Sequence, residues 1–326
     1  MGGDLRLCDI LFTSVNSNGN NSNHRPELIE IILSASAGTS GTGETRKLTE
    51  LFYGEGIEAR VSVAHTGATL EDFATRASNG YATTVVAGGG DGTLNAVASK
   101  LVGTDKVFGV LPLGTLNHFA KDLGIPLDLP GAVRTIISNH VVRVDVGEVN
   151  GHVFLNNSSI GLYPSIVHER QQKERLGHGK WPAFIWAAFS VLRRYPFLDV
   201  RLNVEGKEIK SRTPFVFVGN NVYNMESFEI GGRDKLDRGQ LSIYFSHRTR
   251  RLELIALGLR ALLAQVEKAE KFVAMTATEV SIETPRSRIR VSTDGEVTIM
   301  RSPLLYRVRP GALRVAVPKL DSDDSA

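Results

Sequence analysis

Thr83 to Thr93 read TTVVAGGGDGT and run on as Leu94-Asn95-Ala96-Val97. A β-branched run ends in three glycines, turns at Asp91-Gly92 and opens a helical pattern. Glycines Gly88, Gly89 and Gly90 let a backbone approach a phosphate closely, and free amides at a helix N-terminus favour anionic oxygens. Asp91 can orient a cation and Thr93 can donate a hydroxyl hydrogen bond. A plain strand-to-helix turn capped by Asp91 or Thr93 would use the same residues. Three successive glycines exceed what that turn needs. The dinucleotide fingerprint does not fit, because its last position must be glycine or alanine and here is Thr93.

One strand later comes a second glycine segment, Pro112-Leu113-Gly114-Thr115-Leu116-Asn117-His118-Phe119-Ala120, and near the C-terminus Asp294-Gly295-Glu296. Alone, the last triplet reads equally as a hairpin between Ile289-Arg290-Val291 and Val297-Thr298-Ile299. Taken together, the three segments resemble the diacylglycerol kinase catalytic-domain family, which includes bacterial lipid kinases and sphingosine kinases. The resemblance runs over residues 28 to 318 and keeps the family's motif order.

That resemblance implies an α/β nucleotide-binding domain with a parallel sheet and a C-terminal antiparallel β-sandwich domain, with ATP and lipid meeting in the cleft between them. It implies Mg²⁺-dependent transfer of the ATP γ-phosphoryl group to a lipid hydroxyl. By motif position, Thr66, Gly88 to Gly90, Asp91, Gly92, Thr93, Leu94, Asn95, Gly114 and Thr115 would contact the nucleotide. Asp91 and Glu296 would be catalytic, Glu296 as proton acceptor, and Asn117, His118 and Asp294 would face the acceptor. Phosphoryl transfer needs mostly positioning and charge neutralisation, with one carboxylate near the acceptor hydroxyl.

Three departures accompany the match. The family's first loop is usually Asn-Pro-x-Ser-Gly, and here it is Ser34-Ala35-Ser36-Ala37-Gly38. The second aspartate of Asn-Asp-Phe-Ala is His118, which points to an acceptor other than diacylglycerol. The stretch that holds a structural metal in bacterial members is here Leu236-Asp237-Arg238-Gly239-Gln240-Leu241. A guanidinium at Arg238 cannot ligate Mg²⁺, so this site is expected to be lost, the guanidinium pairing instead with Asp234, Asp237 or local carbonyls. Two rivals stand beside the lipid kinase. NAD kinase shares Gly-Gly-Asp-Gly-Thr but relies on an Asn-Glu dipeptide, and no Asn in this chain precedes Glu. A regulatory module could keep the fold and bind lipid or nucleotide without turnover.

Other patterns fail on one residue each. Gly38 to Thr45, GTSGTGET, has P-loop glycine spacing but Glu44 where lysine must meet phosphate. His168 to Gln172, HERQQ, lacks the second histidine of a zinc helix. No Gly-x-Ser-x-Gly elbow occurs, and eight scattered histidines with one cysteine give no thiolate zinc site.

These residues need positioning, and the pattern supplies it in two halves. Residues 1–26, with the polar tract Asn16 to Asn23, read as a disordered leader. From Leu28 the chain alternates: strand at Leu28–Leu33, small-residue loop Ser34–Gly43, helix near Thr45–Tyr53, strand Arg60–Ala64, helix Leu70–Ser78, strand Thr83–Ala87, helix Leu94–Leu101, strand Val107–Leu111. That alternation predicts a parallel α/β domain over 27–143. Beyond Arg143 the turns become Asn150-Gly151, Glu205-Gly206 and Asp294-Gly295, hairpin signals that predict an antiparallel β domain over 144–320. Phe215–Val218, Leu241–Phe245 and Glu279–Ile282 are further strands, helical inserts fall at 165–195 and 251–273, and the last strands can return to the first domain. Residues 321–326 read as an acidic tail.

The whole chain is 326 residues, with 38 Lys+Arg against 35 Asp+Glu and a net charge of +3. Near balance gives no global case for nucleic acid, so a basic surface must be local. A hydrophobic share of 42% suits a globular protein of two domains. Lone Cys8 fits a reducing compartment. No run reaches the ~18 apolar residues of a bilayer span, and no signal peptide is legible, so the expectation is cytoplasmic. Lys180, Trp181, Phe184, Ile185, Trp186, Phe189 and Leu192, closed by Arg193 and Arg194 and preceded by Arg170, Lys173 and Arg175, form an aromatic-basic stretch. It suits peripheral contact with an anionic membrane surface, and equally a core helix on the β domain. The sequence assigns no oligomeric state.

Overall fold

The computed structural model describes residues 28–35, 42–161, 197–223, 232–233, 235–246 and 272–319. The leader 1–26, residues 36–38 of the first loop, HERQQ at 168–172, the aromatic-basic stretch, Asp234, the inserts at 165–195 and 251–271 and the tail 321–326 lie outside these residues. The chain groups into two units: Met1–Ala120, Gly124–Val142 and Arg314–Ala326 in one, Lys121–Leu123 and Arg143–Leu313 in the other.

The first unit is a mostly parallel sheet with helices between its strands. Strands β1 (Leu28–Ser34), β2 (Glu58–Ala64), β3 (Thr84–Gly89) and β4 (Val107–Pro112) lie in the order β2-β1-β3-β4. Helices α1 (Thr42–Gly54), α2 (Gly67–Asn79) and α3 (Asp91–Leu101) make the crossovers, and α5 (Leu129–Ile137) follows β4. β3 and β4 are buried at every position, which is why they read as continuous β-branched and apolar runs rather than alternating ones. Residues 314 and 315 pair parallel with β4, Arg314 opposite Val107 and Val315 opposite Phe108. The chain moves from β1 out to β2, then back past β1 to β3. That reversal makes the carboxyl ends of β1 and β3 the switch point, where open α/β sheets take ligands. The glycine loop leaves β3 there.

Helix α1 begins at Thr42, inside the stretch expected as loop through Gly43. Helix α3 begins at Asp91, so Asp91, Gly92 and Thr93 form its first turn instead of a loop before it.

The second unit is antiparallel. One sheet of six runs β12-β11-β10-β7-β14-β15, from β7 (Asn157–Gly161), β10 (Phe215–Asn220), β11 (Leu241–Ser246), β12 (Phe272–Ala277), β14 (Arg288–Thr293) and β15 (Glu296–Arg301). Opposing strands are β8 (Leu198–Val204), β9 (Lys207–Thr213), β13 (Glu279–Glu283) and the first part of β16 (Leu304–Ala316), with β5 (Val141–Val149) and β6 (His152–Phe154) alongside. Phe272 and Val273, expected to end a helical insert, instead open β12. Alternation fixes the faces: Val200, Leu202 and Val204 on β8, and Leu304, Tyr306 and Val308 on β16, turn inward onto Ile160, Val216, Val218, Ile243 and Val291. All three hairpins form at the expected dipeptides. φ is positive at both central residues of each, 46° and 85° at Asn150-Gly151, 49° and 84° at Glu205-Gly206, 47° and 86° at Asp294-Gly295. Positive φ at both is the requirement of a type I′ turn, whose twist matches that of the strands.

Candidate functional site

In the first unit, the two glycine segments leave neighbouring parallel strands and meet backbone to backbone. A Cβ on Gly114 would lie 2.5 Å from the Gly90 Cα, and one on Gly89 would lie 2.6 Å from Thr93. Only glycine permits that approach. The Leu113 amide donates to the Gly89 carbonyl at 3.2 Å and completes the contact. Gly90 is the N-cap of α3 and supplies no side-chain cap, so the first-turn amides at Asp91, Gly92 and Thr93 are left for another acceptor. Leu94 and Asn95 behind them are buried.

Asp91 does not cap its own helix. Its carboxylate reaches the first turn of α4 (His118–Asp122), where Oδ2 accepts from the His118 amide and Oδ1 from the Phe119 amide, both at 3.4 Å. Asn117 holds the second segment in place. Its φ is 52°, its Oδ1 accepts from the Gly114 amide at 3.0 Å, and its Nδ2 donates to the carbonyls of Gly114 at 2.9 Å and Pro112 at 3.2 Å. Its side chain is therefore spent on the loop. Thr115 and Leu116 beside it are exposed. Thr66 stands elsewhere on the unit, after β2, as the N-cap of α2, accepting from the Thr69 amide at 3.1 Å.

In the second unit, Asp294 is the first central residue of the type I′ turn between β14 and β15, and Glu296 opens β15 just after it. Glu296 is exposed. Asp294 points inward, its carboxylate seated on three consecutive amides: Leu155 at 2.7 Å, Asn156 at 2.9 Å and Asn157 at 3.0 Å. Its own amide donates to the Asn157 carbonyl at 2.9 Å. Burial pushes the Asp294 carboxyl up to about 6, against the opposing pull of the three amides and of Arg233. Desolvation is the larger influence.

Arg233 carries no motif signal, yet it is buried within this unit. Its Nε donates to Asp122 Oδ2 at 2.8 Å, one terminal nitrogen meets the same oxygen and Asn156 Oδ1, both at 2.8 Å, and the other meets the carbonyls of Leu155 at 2.7 Å and Asn220 at 2.9 Å. The guanidinium also stands 5.4 Å from the centre of the Tyr223 ring. Burial pushes the Tyr223 hydroxyl up to about 12, so it keeps the proton it donates to the Asn156 carbonyl at 2.9 Å.

The loop expected to have lost a metal is held by protein groups. Asp145 accepts from the amides of Gly239 at 2.6 Å and Gly311 at 2.8 Å, and the Arg238 amide donates to Asn221 Oδ1 at 3.0 Å. Arg238 and Asp237 are both exposed, and among the described residues no ion pair joins them.

Residues 29–149 match the diacylglycerol kinase catalytic domain, and residues 160–317 match the YegS C-terminal NAD kinase beta sandwich-like domain. The chain is 29% identical over 232 residues to a diacylglycerol kinase of Staphylococcus aureus strain bovine RF122 / ET3-1, covering 70% of this chain and 72% of the relative, and matches the strain JH9 protein equally. Among solved structures, a diacylglycerol kinase from Bacillus anthracis strain Sterne superposes with a TM-score of 0.64 at 19% identity, over 91% of this chain and 99% of that one. Another structure from that organism reaches 0.67 at 21%. At such identity these structures attest the fold.

Proposed function

The chain belongs to the diacylglycerol kinase catalytic-domain family, and from that membership we propose that it is a lipid kinase, transferring the γ-phosphoryl group of ATP to a hydroxyl of a diacylglycerol- or sphingosine-like lipid. The observation that carries this reading is the pair of glycine segments on neighbouring strands, closed backbone to backbone at Gly90 and Gly114 beside the uncapped first turn of α3.

The residues present fit a nucleoside triphosphate. Side chains are missing where the two loops meet, and three first-turn amides await an acceptor, the arrangement by which backbone and helix dipole bind phosphate oxygens. Gly88 to Asn95 and Gly114 would hold the phosphates, with Thr93 adding a hydroxyl and exposed Thr115 and Thr66 more distant contacts. Among the described residues no three His, Cys, Asp or Glu side chains gather into a metal cluster. Mg²⁺ commonly binds through one or two carboxylates together with substrate phosphates. Asp91 is the carboxylate of the loop. ATP with Mg²⁺ supplies the transferable phosphoryl group and neutralises its charge.

Exposed Glu296 takes the proton of the acceptor hydroxyl. Asp294, with three of its acceptor sites taken by amides, holds the turn that presents Glu296. Asn117 likewise shapes its loop, which leaves His118 as the residue of that segment facing the acceptor. Its departure from aspartate supports an acceptor distinct from diacylglycerol. Among the described residues no helix is long and apolar enough to cross a membrane, and the reading places the protein peripherally on the cytoplasmic membrane surface.

The test is labelled ATP with total lipid extract and a defined panel of diacylglycerols, monoacylglycerols and sphingoid bases, with the product identified by mass. A labelled phospholipid that needs both ATP and Mg²⁺ is expected. ATP bound with no lipid labelled would favour the regulatory module, and label on NAD would favour the other kinase.

A further inference from the structure

We propose that Arg233 is the positioning residue of the Asp294–Glu296 turn, acting through the peptides of residues 155–157 and neutralised by Asp122. The inference deepens the lipid-kinase reading and rests on it for its catalytic consequence.

The Arg233 guanidinium makes four hydrogen bonds, to two carbonyls, one carboxylate oxygen and one side-chain amide, and a second of its nitrogens pairs with the same carboxylate oxygen at 2.8 Å. One of those contacts matters most. The peptide unit between Leu155 and Asn156 gives its carbonyl to Arg233 at 2.7 Å and its N–H to Asp294 at 2.9 Å. A single peptide dipole thus lies head to tail between a cation and a carboxylate, and each end strengthens the other. Asn156 is gripped a second time through its side chain by Arg233 and a third time through its carbonyl by Tyr223 and the Asn220 amide. The Asn156 amide that seats Asp294 therefore cannot shift without disturbing a peptide held by Arg233, and the Asn157 amide belongs to the peptide whose carbonyl Tyr223 and Asn220 hold. Asp294 opens the turn at φ 47° and Glu296 stands two residues on, so the backbone that carries Glu296 leaves from that seat.

A scaffold role alone explains this arrangement poorly. A buried ion pair costs more in desolvation than a well-packed apolar pair of similar volume, so burial by itself is weak evidence of stabilisation. Arg233 and Asp122 have side-chain exposures of 0% and 6%, and two of the guanidinium's bonds, to the Leu155 carbonyl and to Asn156 Oδ1, hold both sides of the peptide that seats Asp294. Fixed geometry at that peptide is what the pair supplies.

The experiment compares wild type, Arg233→Lys and the doubly neutral Asp122→Asn/Arg233→Gln in lipid-dependent ATP turnover and in hydrogen exchange of the full chain read by mass spectrometry. Lysine keeps the charge and loses the fork. The double variant leaves no orphan charge, so it is the informative one if Arg233→Lys fails to fold. A positioning role predicts kcat lower by about 10-fold or more with KM for ATP within about 2-fold, and faster exchange confined to segments holding residues 155–157 and 294–296. Wild-type kcat and exchange in a folded variant would overturn the proposal, as would a rise in KM for ATP that accounts for the whole loss. Wild-type protein without turnover would sink the kinase reading alone. Exchange would still decide whether Arg233 holds the turn.

Discussion

Asp91 belongs to the glycine loop and also accepts from the first amides of α4, so replacing it tests two roles with separable magnitudes. Losing a helix-capping carboxylate costs about 0.5–2 kcal/mol, and contacts as long as these place it at the low end. Asp91→Ala should therefore stay folded while turnover is abolished; near-wild-type turnover would remove Asp91 from the site. Glu296→Gln should lower kcat by about 10²–10⁴-fold, roughly 3–5 kcal/mol of transition-state stabilisation, with ATP affinity unchanged in a calorimetric titration. Asp294 makes a prediction about pH. Its folded-state carboxyl lies near 6, above the ordinary 3.8, so the native state holds that proton more tightly than the unfolded chain. Its contribution to stability is fully present below about pH 4 and is lost as pH rises through about 6. Denaturant unfolding from pH 3.5 to 7 should show this loss in wild type and not in Asp294→Asn, and parallel curves would refute it. At this scale Asp91 was singled out by the glycine run before it, whereas Gly114 and Glu296 were singled out only through the family resemblance. Arg233 was not, since its buried pair joins the end of α4 to an irregular segment 111 residues away that sequence pattern does not bring together.

The elements were legible where one physical signal dominated. Continuous apolar runs marked β3 and β4, a helical pattern between them marked α3, and Asn-Gly, Asp-Gly and Glu-Gly marked the three hairpins, because positive φ at two successive residues admits few side chains. β7 carries Ser158 and Ser159, polar types at buried positions, after a half-buried Asn157, and no hydropathy pattern distinguishes such a strand from a loop. Its Ser158 hydroxyl pairs with the Tyr306 hydroxyl at 3.1 Å, a partner 148 residues away. The start of α3 was misjudged by a turn because Asp91-Gly92-Thr93 has loop composition; its carboxylate looks after α4 and its glycine neighbours cap nothing. The closure of the two glycine loops makes the element-scale prediction. A methyl group on Gly114 would meet the Gly90 backbone, which cannot swing aside as a side chain can. Gly114→Ala should cost about 1–3 kcal/mol by overpacking and weaken ATP binding as the loops part. Gly54→Ala, where nothing lies within 4 Å, is the control and should bind ATP like wild type. Equal ATP affinity in both variants would mean that the loop contact does not shape the nucleotide site.

At the scale of the whole molecule, the chain that begins one unit also ends in it: residues 314 and 315 lie beside β4, far from the N-terminal half in sequence. Sequence periodicity finds such a strand but not its neighbour, which is why a return of the last strands could be foreseen only as one option. Charge at this scale bears on how the proposed lipid kinase would reach its substrate. A net +3 over 326 residues gives no general attraction to an anionic bilayer, so any attachment would have to come from local clusters. Two local clusters suit that role. One is the aromatic stretch closed by Arg193 and Arg194, outside the described residues. The other is the β14–β15 hairpin, where Arg288 lies directly opposite Arg301 and Arg290 opposite Ile299, which is 64% exposed. Like charges directly opposite destabilise a strand pair, and arginine on an outer strand also guards against edge-to-edge pairing. Guarding needs charge of either sign, whereas attachment to anionic headgroups needs positive charge, at about 1 kcal/mol per residue near the surface. The variants Arg193→Glu/Arg194→Glu and Arg288→Glu/Arg301→Glu separate the contributions. Binding to phosphatidylserine-containing vesicles should weaken between about 50 and 500 mM salt and be absent on neutral vesicles, and each charge-reversed pair should reduce it by about 10-fold or more. A protein that ignores anionic vesicles at low salt would instead take its lipid from solution or from a carrier, and the arginines of the hairpin would then serve the edge strand alone.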